Sequence, residues 1–341
     1  MKAARLEDGE LHIRDVPIPE PEFEEALVHI SAAGICHSDL HLARGDWYGM
    51  QPPSLGHEAI GVVEALGPGA DRFVKVGDRV IVGLGGSGGG FWCGACEYCL
   101  RGQPRLCAQT QNVMGTFAEQ FVTYAPGLVV LPDSIPDTEA PLACGGLTAY
   151  GAVKKVLAHG VLPGRTVAVI GAAGGLGHYA VQLLTAFGFR VVGVDIGEQR
   201  LDFVRSLGAE LAVEPDQAVE AVQRDYGGVQ AVLVFSARIA GYDLGLQLLG
   251  KGGLFVGVGL PPTSEGGFSI DVFRLFAIEP TIMFSAVGNV QDMRELVELA
   301  AAGKVRTHVD RTGPLSDLDS IFEELETGKF LGRAVITDLA R

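Results

Sequence analysis

Two short stretches of the chain hold an unusual density of reactive side chains. Gly34-Ile-Cys-His-Ser-Asp-Leu-His places a thiol at Cys36, a hydroxyl at Ser38 and imidazoles at His37 and His41. Gly56-His-Glu adds an imidazole at His57 and a carboxylate at Glu58. Far downstream, Cys144 offers a second thiol. Two thiolates and one imidazole would make a zinc site with a fourth position open to water or substrate, the layout of a catalytic metal. Read singly, each residue is weak. A lone Cys is usually a small buried hydrophobe, and a lone His a satisfied core or surface residue. Ser38 fits a helix N-cap equally well, and His41 an exposed helix position.

A second cysteine group is more specific. Cys93-x2-Cys96-x2-Cys99-x7-Cys107 packs four thiols into fifteen residues. Four thiolates close a tetrahedral shell around zinc with no open position, so this metal would hold a lobe in shape and do no chemistry. A redox Cys-x-x-Cys pair needs only two of them, an iron–sulfur cluster is a rival because spacing alone does not name the metal, and four unrelated buried thiols are the plain alternative. With Cys36 and Cys144 these account for all six cysteines of the chain. The N-terminus lacks the apolar core of a signal peptide and no apolar run is long enough to span a bilayer. A cytoplasmic protein is expected, and in a reducing compartment its cysteines are ligands rather than disulfides.

The third chemical signal is Gly171-Ala-Ala-Gly-Gly-Leu-Gly177, which follows the apolar run Thr166-Val-Ala-Val-Ile and precedes a helical pattern. That setting suits a turn whose backbone N–H groups hold a pyrophosphate at a helix N-terminus. Gly171, Gly174 and Gly177 are spaced three apart, with Gly175 between them, so the pattern is not a literal Gly-x-Gly-x-x-Gly. Asp195 ends the next apolar run, where a carboxylate can accept both ribose hydroxyls and repel a 2′-phosphate. NAD rather than NADP is expected. The plain alternative is an Asp that merely opens the turn before Gly197.

These groups need elements to position them, and the chain changes texture along its length. At 341 residues it is too long for one ordinary core, so two domains are expected. Up to about residue 131 it reads as short strands, among them Leu11–Arg14, Ala26–Ile30, Ile60–Leu66, Asp78–Val82, Phe117–Val122 and Leu128–Leu131, bounded by Pro and Gly. Such spacing suggests a barrel or sandwich. After Cys144 strands and helices alternate: strands at Thr166–Ile170, Arg190–Val194, Ala231–Phe235, Leu254–Val258 and Thr281–Ser285, helices at His178–Phe187, Arg200–Leu207 and Tyr242–Leu249. Repeated β-α units of this length mean a doubly wound sheet. Helices at Asp292–Ala302 and Asp317–Thr327 and a strand at Ala334–Thr337 complete the tail. Hydrophobic residues make up 48% and charged residues 20%, as in a globular protein, and the formal charge of −15 argues against nucleic acid as a partner.

Taken together, Gly34-Ile-Cys-His-Ser-Asp-Leu-His, Gly56-His-Glu-x-x-Gly61, Gly77-Asp-Arg-Val80, the four-cysteine lobe and Pro141-Leu-Ala-Cys-Gly-Gly-Leu-Thr148 resemble the zinc-containing medium-chain alcohol dehydrogenases. The resemblance covers essentially the whole chain and is closest to the tetrameric bacterial and yeast branch, including Gly45-Asp-Trp47. It implies an α/β protein with a GroES-like β-rich catalytic domain and a doubly wound Rossmann dinucleotide-binding domain. Residues 1–147 and 287–341 would form the first, with the structural zinc lobe at about 91–108, and residues 148–286 the second. The Cys2His set is the type example of an open zinc site in this very family, so the agreement is one of resemblance, not an independent inference.

Matched position by position, the resemblance makes Cys36, His57 and Cys144 ligands of a catalytic zinc, and Cys93, Cys96, Cys99 and Cys107 ligands of a structural one, two zinc ions per chain. Asp39 would orient the histidine ligand, and Glu58 would lie beside the metal. Ser38 and His41 would pass the proton out. His37 and Arg333 resemble pyrophosphate contacts, Trp47 a wall of the substrate pocket, and Thr148, Val258 and Leu260 neighbours of the nicotinamide. The implied activity is reversible hydride transfer from an alcohol to NAD, giving an aldehyde or ketone. The implied partners are that small molecule and further copies of the chain, a homotetramer or a dimer, with no nucleic acid and no membrane. A polyol or cyclic hydroxyacyl-thioester dehydrogenase on the same scaffold is the rival enzyme, although polyol enzymes usually replace the Cys144-type ligand by a carboxylate. A non-catalytic, zinc-stabilised nucleotide-binding protein is the rival from another class. The Gly83–Gly90 run and a shortened 109–116 segment depart from the family pattern.

Overall fold

The structure is a computed structural model that describes residues 1–83, 91–111 and 114–341. Of the Gly83–Gly90 run only Gly83 falls among them, and residues 112 and 113 of the shortened segment lie outside them. The chain forms two compact units, Met1–Leu147 with Val287–Arg341, and Thr148–Ala286.

The first unit is built on a seven-stranded sheet whose centre is the long strand Glu25–Ile35. That strand pairs antiparallel with Ala59–Leu66, Gln120–Tyr124 and the C-terminal strand Arg333–Asp338. Arg79–Val82 and Val129–Val130 continue the sheet on one side and Val309–Pro314 on the other. Lys2–Glu7 and Glu10–Asp15 form a separate hairpin. Helix Leu318–Glu326 shows why its sequence folds as it does. Leu318, Ile321, Phe322 and Leu325 recur at helical spacing and all are buried, so one stripe enters a core that includes Phe117, Leu55 and Val28. Each such side chain stabilises the fold by about 1.5–3 kcal/mol when fully buried.

The second unit is a six-stranded parallel sheet in the spatial order Leu211–Val213, Arg190–Val194, Thr166–Ile170, Val229–Val234, Leu249–Gly257, Thr281–Phe284. All five residues of Thr166–Ile170 are buried, as a parallel strand covered on both faces requires. Helices Gly177–Ala186, Glu198–Ser206, Pro215–Tyr226 and Ile239–Leu248 supply the cover. In Pro215–Tyr226 proline opens the first turn, Gly227 closes the helix at φ 65°, and Ala218, Ala221 and Val222 face inward.

The α/β class and the doubly wound sheet agree with the sequence reading. Among the elements not legible in it are strands Lys2–Glu7, Leu211–Val213 and Val309–Pro314, and helices Glu97–Leu100, Gly145–Ala158, Pro215–Tyr226 and Val272–Ile278. Gly145–Ala158 begins with two glycines, and Val309–Pro314 ends in Gly-Pro, so local propensity spoke against both.

Candidate metal centres and dinucleotide turn

The end of strand Glu25–Ile35 runs directly into helix His37–Arg44, and Cys36 is the residue between them. Cys36 and Asp39 form a capping box, in which Asp39 Oδ2 accepts the Cys36 N–H at 3.1 Å. The same carboxylate is fully buried, and its Oδ1 accepts the Gly56 N–H at 2.9 Å and pairs with His57 Nδ1 at 2.9 Å. One side chain thus holds both reactive stretches in register. Because a carboxylate only accepts, Nδ1 carries a proton, so the neutral ring can present its lone pair only at Nε2. That Nε2 is buried and makes no hydrogen bond among the described residues.

Cys144 ends the 3-10 helix Asp137–Ala143 and is buried. The Cys36 and Cys144 sulfurs, a His57 ring nitrogen and a Glu58 carboxylate oxygen all lie within 4.8 Å of one another. The adjoining Cys144 holds the Cys36 thiol well below its usual range, helped against burial by His57 and Arg333. The bond to Cys36, with burial, pushes Cys144 well up. Burial alone would lower the His57 pKa, but the Asp39 carboxylate more than offsets it and holds the imidazole well above its usual value. A divalent metal would let both sulfurs ionise and would take Nε2 of the neutral imidazole, displacing its proton. The donor set therefore fits zinc.

Glu58 is tied on both oxygens. Oε1 accepts the Gly145 N–H at 3.0 Å and Oε2 bonds the Arg333 guanidinium. Burial pushes its carboxyl up to about 7 in spite of Arg333. Gly34 makes the room, since a Cβ there would stand 2.3 Å from Glu58 Oε2. Arg333, matched by resemblance to a pyrophosphate contact, is buried and directed at Glu58. This pairing of residues 275 positions apart left no local signal in the sequence.

His37, matched by resemblance to a pyrophosphate contact, is exposed, and Ser38, matched to the proton relay, is half-buried near the start of helix His37–Arg44. His41 is not the exposed helix residue of the plain alternative, for its side chain is only 12% exposed. Its Nδ1 bonds Asp46 Oδ2 at 2.7 Å, and its ring lies 5.0 Å from that of Trp47. Asp46 is a residue that the sequence reading passed over between Gly45 and Trp47.

The four-cysteine lobe is assembled with its sulfurs within 4.8 Å of one another. Cys96 and Cys99 are 3.5 Å apart, Cys93 and Cys107 3.6 Å, and Cys93 and Cys99 3.9 Å. These are thiols, not disulfides, and the spacing matches the roughly 3.8 Å edge of a tetrahedron with metal–sulfur bonds of about 2.3 Å. N–H groups of Ala95 and Cys96 lower Cys93 to about 6, while burial and Cys96 push Cys99 up to about 12. Phe91 and Trp92 anchor the lobe edge-on against Tyr124, at 5.4 and 5.0 Å.

In the second unit the glycine turn joins strand Thr166–Ile170 to helix Gly177–Ala186. Gly171 has φ 79°, and a Cβ on Gly177 would come within 2.0 Å of the Gly171 carbonyl oxygen. Only glycine at 177 lets the helix start so close to the strand. Asp195 follows strand Arg190–Val194, and its carboxylate accepts the Ala173 N–H at 2.8 Å and the Ile196 N–H at 2.9 Å. The acid is thereby aimed back over the turn. Thr148 is buried on helix Gly145–Ala158, Val258 bonds the Val234 carbonyl just past strand Leu249–Gly257, and Leu260 is 57% exposed.

Comparison with known proteins agrees with this geometry. Residues 22–133 match the family described as "Alcohol dehydrogenase GroES-like domain", and residues 175–302 the one described as "Zinc-binding dehydrogenase". An alcohol dehydrogenase of Geobacillus stearothermophilus is 39% identical over 98% of this chain and 99% of its own length. The chain belongs to the zinc-containing medium-chain alcohol dehydrogenase family. As a zinc-dependent alcohol dehydrogenase it is an oxidoreductase. Among solved structures, the alcohol dehydrogenase of the archaeon Aeropyrum pernix superposes with a TM-score of 0.88 at 36% identity, over 99% of this chain and 100% of that one. Acetophenone reductase from Geotrichum candidum, solved in complex with NAD, gives 0.84 at 28% identity over 99% and 97%.

Proposed function

We propose that this dehydrogenase oxidises an alcohol to an aldehyde or ketone with NAD, reversibly, through a zinc held by Cys36, His57 and Cys144, and that Cys93, Cys96, Cys99 and Cys107 hold a second, structural zinc. The observation that carries the reading is the convergence of two buried thiols on an imidazole whose Nδ1 is held by Asp39 and whose buried Nε2 makes no hydrogen bond among the described residues. When bound, zinc acidifies an alcohol and steadies charge on its oxygen, and NAD accepts hydride.

The protein's own groups do the rest. Asp39 orients His57 and the Cys36 backbone together. Glu58, bonded to the Gly145 N–H, holds the chain beside Cys144. Ser38 and His41 take the proton that the alcohol loses, with His41 Nε2 as the acceptor. Trp47 walls the substrate pocket, and Thr148, Val258 and Leu260 line the nicotinamide. Gly171, Gly174, Gly175 and Gly177 bind the pyrophosphate, and Asp195 accepts the ribose hydroxyls. The test is zinc content together with initial rates over primary, secondary, aromatic and cyclic alcohols with NAD. Two zinc per chain and NADH formation are expected. One zinc and no turnover on any alcohol would overturn the reading.

Asp195→Gly is expected to raise the NADP-to-NAD ratio of kcat/KM by about 10–100-fold, the worth of a charge-assisted hydrogen bond lost from one side. An unchanged ratio in steady-state assays removes Asp195 from the ribose site.

Assembly into a homotetramer, with a dimer as its half, is supported by an apolar face on the second unit. Helix Val272–Ile278 buries none of its residues, and Phe273, Phe276 and Phe284 are 89%, 85% and 61% exposed beside the edge strand Thr281–Phe284. Among the described residues no helix is long and apolar enough to cross a membrane. We place the enzyme in the cytoplasm, where six free cysteines can serve as ligands.

A further inference from the structure

We propose that Asp46 is a positioning residue for the proton wire, fixing the tautomer of His41 so that Nε2 is the atom that receives the proton. The inference rests on the reading of His41 as proton acceptor given above.

Helix His37–Arg44 stops at Gly45, which adopts φ 69° and ψ 24° and caps the helix with its N–H on the carbonyls of His41 and Leu42. That left-handed turn folds the chain back, and the Asp46 N–H also reaches the His41 carbonyl, at 3.0 Å. Asp46 is therefore held over His41 by backbone as well as by its side chain. Its Oδ2 lies 2.7 Å from His41 Nδ1, and the two side chains are 28% and 12% exposed. The imidazole also packs against the Trp47 ring, 5.0 Å away and tilted 34°.

A neutral imidazole carries one proton and one lone pair, and which nitrogen holds which is set by the partner of the other. Asp46 offers only an acceptor, so Nδ1–H is the donor and Nε2 the lone pair. Nε2 is buried and makes no hydrogen bond among the described residues. A buried nitrogen in that state is suited to take a proton from a hydroxyl. When it does, Nε2–H forms, Nδ1–H stays on Asp46, and the cation is met by the carboxylate. With the opposite tautomer Nε2 would already carry a proton and could accept none. The arrangement repeats, on the proton path, what Asp39 does for His57 at the metal.

Neutron diffraction from crystals of the zinc-loaded enzyme tests the tautomer directly, with deuterium expected on His41 Nδ1 and none on Nε2. In the Asp46→Leu variant kcat for alcohol oxidation should fall at least about tenfold while KM for NAD changes by less than about twofold, the split expected when only a proton-transfer group is misaligned. Asp46→Asn and Asp46→Glu each retain an acceptor for Nδ1–H and should recover most of the rate. Deuterium on Nε2 of the wild-type protein overturns the assignment, whether or not Asp46→Leu folds. So does an Asp46→Leu enzyme of full kcat when His41→Gln is impaired. A His41→Gln enzyme of undiminished kcat overturns the relay reading instead, and the deuterium position still decides the pairing.

Discussion

Cys144→Ser is expected to lower kcat by about a thousandfold or more and to take zinc from two per chain to one. Cys144 is one of only two soft donors in the site, and its sulfur lies within 4.8 Å of the Cys36 sulfur and the His57 nitrogen. A serine hydroxyl is a poor ligand at neutral pH, so the remaining thiolate and imidazole would have to hold the metal alone. Polarisation of the reacting oxygen stabilises the transition state by several kcal/mol, and each 1.36 kcal/mol is a factor of ten in rate. The fold should survive, because serine is nearly isosteric and the Gly145 N–H keeps its bond to Glu58. Metal analysis, steady-state kinetics and a melting curve on one preparation check all three claims. Undiminished turnover sinks the assignment, whatever the metal count.

Asp39→Ala should be as damaging by a different route. One buried carboxylate takes the N–H of Cys36, the N–H of Gly56 and Nδ1 of His57. Deleting it strands two buried backbone donors, at about 1–3 kcal/mol each. It also frees the imidazole to exchange tautomers, so Nε2 is no longer reserved for the metal. Loss of an outer partner of this kind typically weakens metal binding by about 10–100-fold. A lowered melting temperature is therefore expected together with faster loss of one zinc to a chelator. Asp39→Asn, which keeps an acceptor, should fall between Ala and wild type. Zinc retention equal to wild type in Asp39→Ala would show that the ligands need no such support.

How much of this was legible beforehand depended on sequence distance. The Cys93–Cys107 lobe was readable because all four ligands lie within fifteen residues, so spacing alone carries the geometry. Gly171–Gly177 was readable because strand, turn and helix follow one another without interruption. Asp39 was reached only through resemblance, and its second role, accepting the Gly56 N–H, came from the fold. Asp46 stood in plain view between Gly45 and Trp47, yet its bond to His41 depends on a left-handed turn at Gly45 that alternation and composition do not register.

By itself the amino-acid sequence determined the kinds of element, the closed cysteine lobe and the phosphate turn, since each is decided by neighbours in the chain. Tertiary structure alone decided the open site. Cys36 and His57 come from the two sides of a strand pairing, Cys144 from a 3-10 turn far downstream, and the Glu58–Arg333 pair spans 275 positions. Such meetings are set by how sheets stack and bury apolar faces, and no local periodicity records them. The two nitrogens that make no hydrogen bond among the described residues, Nε2 of His57 and Nε2 of His41, belong to the same class of fact. Each exists because a carboxylate was brought to the opposite side of the ring, and only the folded chain brings it there.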